Sequence, residues 1–333
     1  MQGISVIICC YNSEKRILKT LSSLLAQSIE AGFGYEVIVV NNNSRDNTRT
    51  VVEQFIQTSG ASSYKIIDQP IPGLNAAREK GIETASYDLL IFCDDDNWLD
   101  TGYLSKAYHI MYSNPGIALL GGCGIPVTET SPPDWFQDFK GDYATGPQGC
   151  ESGDITNEKG YVYGAGAILR KSAYLNMRER GFSTYLTDRV GTKLTSGGDV
   201  ELGFNLRLAG FKVHYNSELI FHHFISKERL NWPYLKKLHF SFGYSSSLYV
   251  IQSNLYTQPE KAEYKFSWPW LFLNGCLDLL KTVLGGVMQF SGNNKKYQSE
   301  LLRKTGYCYG LFKERKKLKL ILKEIKALKL SAK

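Results

Sequence analysis

The sequence predicts an α/β protein built on an open, mostly parallel sheet with helices on both faces. Two observations predict this class. Through the first hundred residues, short apolar runs typical of buried strands alternate with stretches whose apolar residues recur at helical spacing. Two such runs joined by a helix form a β-α-β unit, the connection that parallel strands require. The chain has 333 residues, 43% of them hydrophobic, which is enough for one large or two moderate domains.

The elements follow in a regular order. We predict strands at residues 4–10, 36–40, 64–67 and 88–93, separated by helices at 17–25, 48–57 and 75–84. Further along we predict a strand of small residues at 161–169, a helix at 198–208 and a strand at 211–215. Loops rich in Gly and Pro predominate between residues 121 and 160, and such a long irregular region usually forms a binding surface.

The net charge of +7 is located at the C-terminal end of the chain. Residues 313–333 carry nine Lys/Arg and two Glu, whereas the other 312 residues carry 30 basic and 30 acidic side chains. This balance gives no support to nucleic-acid binding by the main body. The seven cysteines form no C-x-x-C pair, which predicts buried thiols in a reducing compartment. Because the chain opens on a strand rather than a signal sequence, we expect a cytoplasmic protein.

Three adjacent carboxylates, Asp94, Asp95 and Asp96 (the aspartate triplet), follow the predicted strand at 88–93. If dehydrated they would repel one another by several kcal/mol, so this position needs a cation or abundant solvent. Oxygen ligands suit Mg²⁺ or Mn²⁺, which bind through one or two side chains together with substrate phosphate oxygens. The alternative is that the triplet caps a helix starting near Trp98.

Polar residues follow three of the predicted strands. They are Tyr11 and Asn12, residues 41–44, and the aspartate triplet. In open α/β sheets, ligands bind beyond the carboxyl ends of the strands. Convergence of the three clusters at one edge therefore favours a ligand site over a helix cap.

Five short motifs occur in a fixed order, at residues 5–12, 39–48, 73–78, 94–97 and 198–202. In this order they resemble the family 2 glycosyltransferases of the GT-A fold, over about two-thirds of the chain. The resemblance implies a Rossmann-like nucleotide-binding sheet. Residues 1–100 would be its nucleotide-sugar-binding half, and residues 101–230 its acceptor-binding half. Beyond the resemblance, the composition of residues 231–333 predicts an aromatic and basic helical extension that associates with a membrane.

The resemblance implies an inverting, metal-dependent enzyme that moves a sugar from a UDP-sugar to a glycan or polyprenyl-linked acceptor in cell-surface polysaccharide synthesis. Asp96 is the implied ligand of Mn²⁺ or Mg²⁺, and Asp94 or Asp95 the implied partner of the ribose hydroxyls. Tyr11 belongs to the same implied nucleotide site. Arg78 would reach the pyrophosphate or the base, and a solvated helix arginine is its alternative role.

Two positions depart from the family pattern. Asn41 and Asn42 stand where many relatives have two Asp, one of which receives the N3–H of uracil. The amide of Asn42 can still accept that bond, although turn formation is an alternative role for both asparagines. Gly198 replaces the Glu of the family's Glu-Asp motif and leaves Asp199 as the implied base for the acceptor hydroxyl. Asp199 could instead cap a helix, and Glu201 is the alternative base.

His222 and His223 lie where GT-A enzymes sometimes supply a further metal or diphosphate contact. Neighbouring side chains in a strand point to opposite faces, so at most one of the two is a ligand. We predict His222 as that ligand, with the choice between the two histidines left open. A structural role for both is the alternative.

The extension has two segments suited to a membrane surface. Residues 268–290 are apolar except for a polar stripe of Asn274, Asp278 and Lys281, which predicts an interfacial rather than a spanning helix. The last helix combines many lysines with an apolar face, made of Leu318, Ile321, Leu322, Ile325 and Leu328. We expect this basic helix to lie on anionic lipid at the inner face of the cell membrane. The alternative is that its apolar face packs on the protein and its lysines are solvated.

Two other functions are compatible with parts of the pattern. A sugar-phosphate nucleotidyltransferase would need a Gly-rich loop after the first strand, where residues 11–16 contain no Gly. A catalytically silent, membrane-bound scaffold subunit would not need the aspartate triplet or Asp199.

Overall fold

The computed structural model describes residues 2–189, 195–257, 263–288 and 294–331. The strands are β1 (Gly3–Cys10), β2 (Gly34–Asn41), β3 (Tyr64–Asp68), β4 (Leu89–Asp94), β5 (Asn97–Leu99), β6 (Ile117–Thr128), β7 (Gly153–Asp154), β8 (Ile168–Arg170) and β9 (Lys212–Ile225). The helices are α1 (Ile17–Leu25), α2 (Thr48–Ser59), α3 (Leu74–Thr84), α4 (Tyr103–Ser113), α5 (Phe136–Phe139), α6 (Lys171–Glu179), α7 (Gly198–Leu208), α8 (Trp232–Thr257), α9 (Trp268–Met288), α10 (Lys295–Lys313) and α11 (Arg315–Ser331). Every strand and helix predicted before residue 95 is present.

One sheet holds all nine described strands in the order β3-β2-β1-β4-β8-β6-β9-β5, with β7 paired to β9. Strands β1, β2, β3, β4, β6 and β9 run in one direction, and β5, β7 and β8 run against it. The prediction of a mostly parallel α/β sheet is therefore confirmed. In register, Cys10 lies opposite Asn41, and Cys9 lies opposite Asp94. The polar clusters after β1, β2 and β4 therefore meet at one edge, as the sequence predicts.

Two apolar cores cover the two faces of the sheet. In β1, Ile4, Val6 and Ile8 belong to one core and Ile7 to the other. A strand that buries both faces has no polar alternation, which is why these segments read as continuous apolar runs. Helices α1, α2 and α4 contribute to the first core, and α3, α6 and α7 to the second. The helices thus lie on both faces.

One alternative and two predictions of local structure are wrong. The aspartate triplet does not cap a helix at Trp98, because β5 occupies residues 97–99 and α4 begins at Tyr103. The loop predicted from residue 121 begins as part of β6, a strand of 12 residues. The strand predicted at 161–169 is reduced to β8, because residues 161–167 form an irregular segment with Gly166 at a φ of 70°. That segment lines the cavity described below.

The C-terminal extension consists of α8 to α11 and packs on the α/β part. Helices α8 and α10 approach each other closely at Gly243 and Gly306. On α11, the apolar side chains Leu318, Ile321 and Ile325 are buried in a core shared with α8 to α10. The prediction that this apolar face lies on lipid is therefore wrong, since the protein itself covers it. Its alternative, a packed helix with exposed lysines, is what the described part of α11 shows. No helix in the described ranges has both the length and the apolarity to cross a bilayer.

The close approach of α8 and α10 predicts a steric effect on stability. A Cβ atom at Gly306 would lie 2.1 Å from the carbonyl oxygen of Phe240, so Gly306→Ala must push the helices apart. We expect a loss of about 1–3 kcal/mol in the free energy of unfolding, measured by urea denaturation. Gly285→Ala is the matched control, because Gly285 is an exposed residue of α9 with no atom within 4 Å of its Cβ position. If both variants unfold like the native chain, the described helix contact is wrong.

Candidate active site

A cavity of about 1400 Å³ lies where the polar ends of β1, β2 and β4 meet. Its walls also include α3, the segment 161–165, the start of α7, and parts of α8 to α10. Seven of the eight predicted site residues line it: Tyr11, Asn42, Arg78, Asp94, Asp95, Asp96 and Asp199. His222 is not among the residues that line it.

The first two carboxylates of the triplet have different surroundings. Asp95 is buried, accepts a hydrogen bond from the Ser13 hydroxyl, and pairs with the Arg16 guanidinium at 2.8 Å. Within the described residues, the carboxylate of Asp94 receives no hydrogen bond in the structure, and it faces the cavity. Of the two predicted ribose partners, Asp94 is therefore the one with acceptor atoms available.

Asp96 lies between the side chains of Arg229 and His223. Arg229 Nη1 is 3.2 Å from its Oδ2, and His223 Nε2 is 3.5 Å from its Oδ1. Burial would raise the pKa of Asp96, but His223, Arg229 and Arg16 together hold that pKa well below its usual range. Asp96 is therefore an ionised carboxylate at neutral pH.

His222 was predicted as the histidine that reaches the metal, but the structure places His223 and not His222 beside Asp96. His222 pairs across β5 with Trp98, and its Nδ1 lies 3.4 Å from Asp100, away from the cavity. His223 lies on the other face of β9 and lines the cavity beside Asp96. Strand alternation correctly predicts that only one of the pair can reach the triplet, and the structure gives that place to His223.

The donor atoms near the triplet suit a divalent ion held jointly with a substrate. Among the described residues, no three His, Cys, Asp or Glu side chains form a group that could hold a metal without help. Mg²⁺ needs no such cage, because it binds through one or two carboxylates together with substrate phosphates. Asp94 and Asp96 supply two carboxylates to one cavity wall, and Asp96 stays ionised. The residues therefore fit an ion that arrives with a diphosphate.

Asn42 holds the loop that leads into α3. Its amide nitrogen donates to the carbonyl oxygens of Gln69, at 3.0 Å, and Ile71, at 2.6 Å. Its Oδ1 accepts from the Gly73 amide at 2.8 Å. Both N–H groups are thus engaged, while one lone pair of Oδ1 is left for a ligand donor. Asn42 therefore holds the loop before α3, while Asn41 ends β2. A contact from Asn42 Oδ1 to a base N–H is chemically compatible with these bonds.

Arg78 is a largely enclosed arginine and not a solvated one. Its side chain is 13% exposed, and its Nη1 lies 3.3 Å from Asp188 Oδ2. Asp188 adopts a positive φ of 55°, an uncommon conformation outside glycine. Burial raises the pKa of Asp188 to about 6, with Arg78 acting against the shift and Asp199 adding to it. The pair fixes the Arg78 guanidinium at the cavity wall beside Gly164.

Asp199 lies in the first turn of α7 and faces the same cavity. Its Oδ2 accepts from the Gly164 amide at 3.0 Å, and its Oδ1 from the Val200 amide at 2.9 Å. These backbone donors fix the carboxylate in one orientation while each oxygen keeps a lone pair. The arrangement can accept a proton from a hydroxyl placed in the cavity.

Glu201 is a structural carboxylate. It is fully buried, does not line the cavity, and accepts the amides of Tyr185 at 2.8 Å and Leu186 at 3.0 Å. Its two oxygens therefore hold the segment that leads to Asp188. The alternative role of Glu201 as the base is not supported by this geometry.

This assignment predicts a specific outcome for Glu201→Gln. A glutamine presents one carbonyl oxygen and an amide that cannot accept a hydrogen bond, so one backbone N–H loses its partner. We expect a loss of about 1–3 kcal/mol in the free energy of unfolding, with turnover close to the native value in the folded fraction. Chemical denaturation and turnover should be measured on the same sample. Crippled turnover at native stability would make Glu201 the base.

The extension supplies the far wall of the cavity. Arg303 of α10 donates to Asp142 at 2.6 Å, and His239 of α8 contacts the other oxygen of Asp142 at 2.8 Å. Burial would raise the pKa of Asp142, but the bonds from His239 and Arg303 lower it. The extension is thus part of the cavity wall. Tyr161 and Tyr163, which lie before β8 and outside the extension, also line the cavity near Asp199.

Several cavity residues escaped the sequence analysis. They are Arg16, Asp188, Arg229 and Arg303, which come from four separate regions of the chain. Arg16 follows the polar residues after β1 and could have been found from that position. The other three stand in no recognisable motif, and only the tertiary fold brings them to the triplet, to Arg78 and to Asp142.

Known proteins resemble this chain in sequence and in fold. The family model described as glycosyl transferase family 2 matches residues 5–176. Glycosyltransferase AglE of Haloferax volcanii is 35% identical over 124 residues, which is 36% of this chain and 38% of that protein. Poly(ribitol-phosphate) beta-glucosyltransferase of Bacillus spizizenii is 25% identical over 214 residues, 58% of this chain and 33% of that protein. The chain thus spans well under half of these relatives.

A solved structure shows the same fold over almost the whole chain. It is the S. aureus protein TarS, residues 1–349, in complex with UDP. The TM-score is 0.50 at 17% identity, and the match covers 94% of this chain and 91% of that one. A complex of the same TarS fragment with UDP-GlcNAc matches with a TM-score of 0.50 at 15% identity, covering 94% of this chain and 92% of that one. At this identity the likeness establishes the fold, including the helical extension.

Proposed function

Because the chain belongs to glycosyl transferase family 2, we propose that it is an inverting, metal-dependent glycosyltransferase. It would move a sugar from a UDP-sugar to a hydroxyl of a glycan or polyprenyl-linked acceptor in cell-surface polysaccharide synthesis. One observation carries the proposal: a single cavity contains both the aspartate triplet and the oriented carboxylate of Asp199. The first suits a nucleotide diphosphate with its cation, and the second suits an acceptor hydroxyl.

The donor would occupy the strand ends. Asn42 offers one acceptor position for the N3–H of uracil, Tyr11 lies beside it in the cavity wall, and Asp94 offers acceptors to the ribose hydroxyls. Arg78 carries the positive charge that the diphosphate requires, and Asp188 holds it in place. Two solved relatives of the same fold, complexes of TarS, contain UDP and UDP-GlcNAc, which supports a uridine donor.

Mn²⁺ or Mg²⁺ would be held by Asp96, while Asp94 serves the ribose hydroxyls. When bound, such an ion neutralises the diphosphate and stabilises the negative charge that develops on it as the sugar departs. Asp96 contributes the ionised oxygen that a hard cation prefers. His223 and Arg229 keep this carboxylate ionised and fix its position.

Asp199 would take the proton of the acceptor hydroxyl. As the acceptor oxygen forms its bond to the anomeric carbon, the bond from that carbon to the UDP oxygen breaks, and the electron pair leaves with UDP. The proton passes to Asp199, which the amides of Gly164 and Val200 hold in position. Attack from the face opposite UDP inverts the anomeric configuration. A hydrolase would instead need two carboxylates flanking the bond.

The acceptor would lie in the part of the cavity near Asp199, whose lining includes Tyr161 and Tyr163. For a polyprenyl-linked acceptor, the protein would act in the cytoplasm, attached peripherally to the inner face of the cell membrane. All seven cysteines are free thiols, which supports a reducing compartment.

Calorimetric titration with UDP, CDP, GDP and ADP in the presence of Mn²⁺ tests the donor assignment. UDP should bind most tightly, because Asn42 can accept from the N3–H of uracil, whereas cytosine has no hydrogen there. Equal binding of UDP and CDP would remove Asn42 from base recognition. Failure of every nucleotide to bind would overturn the proposed function.

A further inference from the structure

The outward side of α9 carries four exposed leucines in line, which we name the leucine row: Leu273, Leu277, Leu280 and Leu284. Their spacing of four, three and four residues places them on one helix face. They are 59%, 47%, 53% and 55% exposed, although a leucine side chain is normally buried. A contiguous exposed apolar patch of this kind marks an interaction surface on a protein.

Charge identifies the kind of partner. Residues 231–333 carry 18 Lys/Arg and 6 Asp/Glu, a net charge of +12, whereas residues 1–230 carry 21 and 26, a net charge of −5. Lys281 is exposed beside the leucine row on α9. The exposed side chains of α11 include Arg315, Lys316, Lys319 and Lys323. Two copies meeting symmetrically at this surface would repel each other, whereas an anionic bilayer attracts it.

The leucine row lies next to the cavity. Asp278 follows Leu277 on α9, lines the cavity, and accepts a hydrogen bond from Lys304 of α10 at 3.1 Å. An α-helix with its side chains is about 10–12 Å across. A surface that contacts the leucine row is therefore about one helix diameter from the residues at the cavity wall.

We propose that the leucine row is a docking surface for an anionic lipid bilayer. The leucines enter the boundary between headgroups and acyl chains, and Lys281 beside them contacts the anionic headgroups. The buried apolar face of α11 has no part in this contact, although its exposed basic residues add to the attraction. Docking here places the cavity at the membrane surface, where an acceptor anchored in the lipid can enter it. Only that last consequence depends on the proposed function.

Vesicle sedimentation with the full chain tests the docking surface. The variant replaces all four leucines of the row by Gln, which keeps helix propensity. The matched control replaces Leu18, Leu25 and Leu175 by Gln, because these are 46%, 43% and 44% exposed on α1 and α6. The native chain and the control should bind vesicles made of equal parts phosphatidylcholine and phosphatidylglycerol. The row variant should bind the same vesicles with an affinity lower by at least about 10²-fold. Phosphatidylcholine alone, or high salt, should weaken native binding.

Three outcomes would overturn the proposal. The first is equal binding by the row variant and the control. The second is no binding by the native chain. The third is that the native chain forms a dimer and does not bind vesicles, while the row variant is a monomer. A second copy of the chain, and not a bilayer, would then cover the leucine row. Metal-dependent hydrolysis of a UDP-sugar in detergent-free buffer should be the same in all three proteins. Its loss in all of them would count against the proposed function and not against the docking surface.

Discussion

Replacement of Asp199 by Asn is expected to lower the rate of sugar transfer by about 10²- to 10⁴-fold, the usual contribution of a general base. An amide cannot take up the proton of the acceptor hydroxyl, although it has nearly the same volume as the carboxylate. Donor binding should be unchanged, since the proposed donor contacts lie at Asp94, Asp96 and Arg78. The turnover number with saturating donor and acceptor, and the calorimetric affinity for UDP, separate the two effects.

Asp188→Asn is the matched control for this prediction. Asp188 lines the same cavity, and burial raises its pKa to about 6, a value suited to a base at neutral pH. Its contact with Arg78 instead indicates a positioning role, so the variant should weaken UDP binding and keep more of the turnover number. If Asp188→Asn abolishes turnover at native UDP affinity while Asp199→Asn is active, the two roles are reversed.

Replacement of Asp96 by Asn is expected to remove the metal dependence of UDP binding. A neutral amide is a far poorer ligand than a carboxylate for a hard cation. The affinity for UDP with Mn²⁺ should fall by more than about 10²-fold, because losing even an outer contact to a metal ligand costs about 10- to 100-fold. Calorimetry with Mn²⁺ and with a chelator measures both states. Unchanged UDP affinity in the presence of Mn²⁺ would contradict the assignment of Asp96.

Asp95→Asn serves as the control for Asp96. This variant also removes one carboxylate from the triplet. That carboxylate is buried, accepts a hydrogen bond from Ser13 and forms an ion pair with Arg16. We expect lower thermal stability in this variant and a metal dependence like that of the native chain. A loss of metal dependence equal to that of Asp96→Asn would show that the triplet acts through its total charge.

The first half of the sheet was predictable because its signals are local. Strands β1, β2 and β4 bury both faces, and their apolar runs differ sharply from the amphipathic helices between them. Strand β6 was not predicted, because the glycines from residue 121 onward are typical of a loop. A Cβ at Gly121 would lie 2.6 Å from Val162, and one at Gly122 would lie 2.2 Å from the Leu219 carbonyl oxygen. Neighbouring segments approach too closely there for larger side chains, which a local pattern cannot reveal.

The site was predictable where it follows the strand ends and not where distant segments meet. Topology places Asn42 and the triplet at one edge, and the family motif adds Asp199. The alternation of β9 allows only one of the two histidines to reach the triplet, but only the tertiary structure shows that His223 is the one beside Asp96. The apolar face of α11 would look the same on lipid or on protein. Its burial depends on α8 to α10, which the pattern of α11 does not describe.

Release of UDP from a panel of UDP-sugars, with Mn²⁺, Mg²⁺ or a chelator, tests the central claim most directly. At least one UDP-sugar should be hydrolysed slowly in the presence of a divalent ion and not with the chelator, because water can replace the acceptor beside Asp199. Formation of a UDP-sugar from UTP and a sugar phosphate would instead indicate a nucleotidyltransferase. A folded chain that binds UDP but leaves every UDP-sugar intact, with and without acceptor glycans, would contradict the account and indicate a catalytically silent subunit.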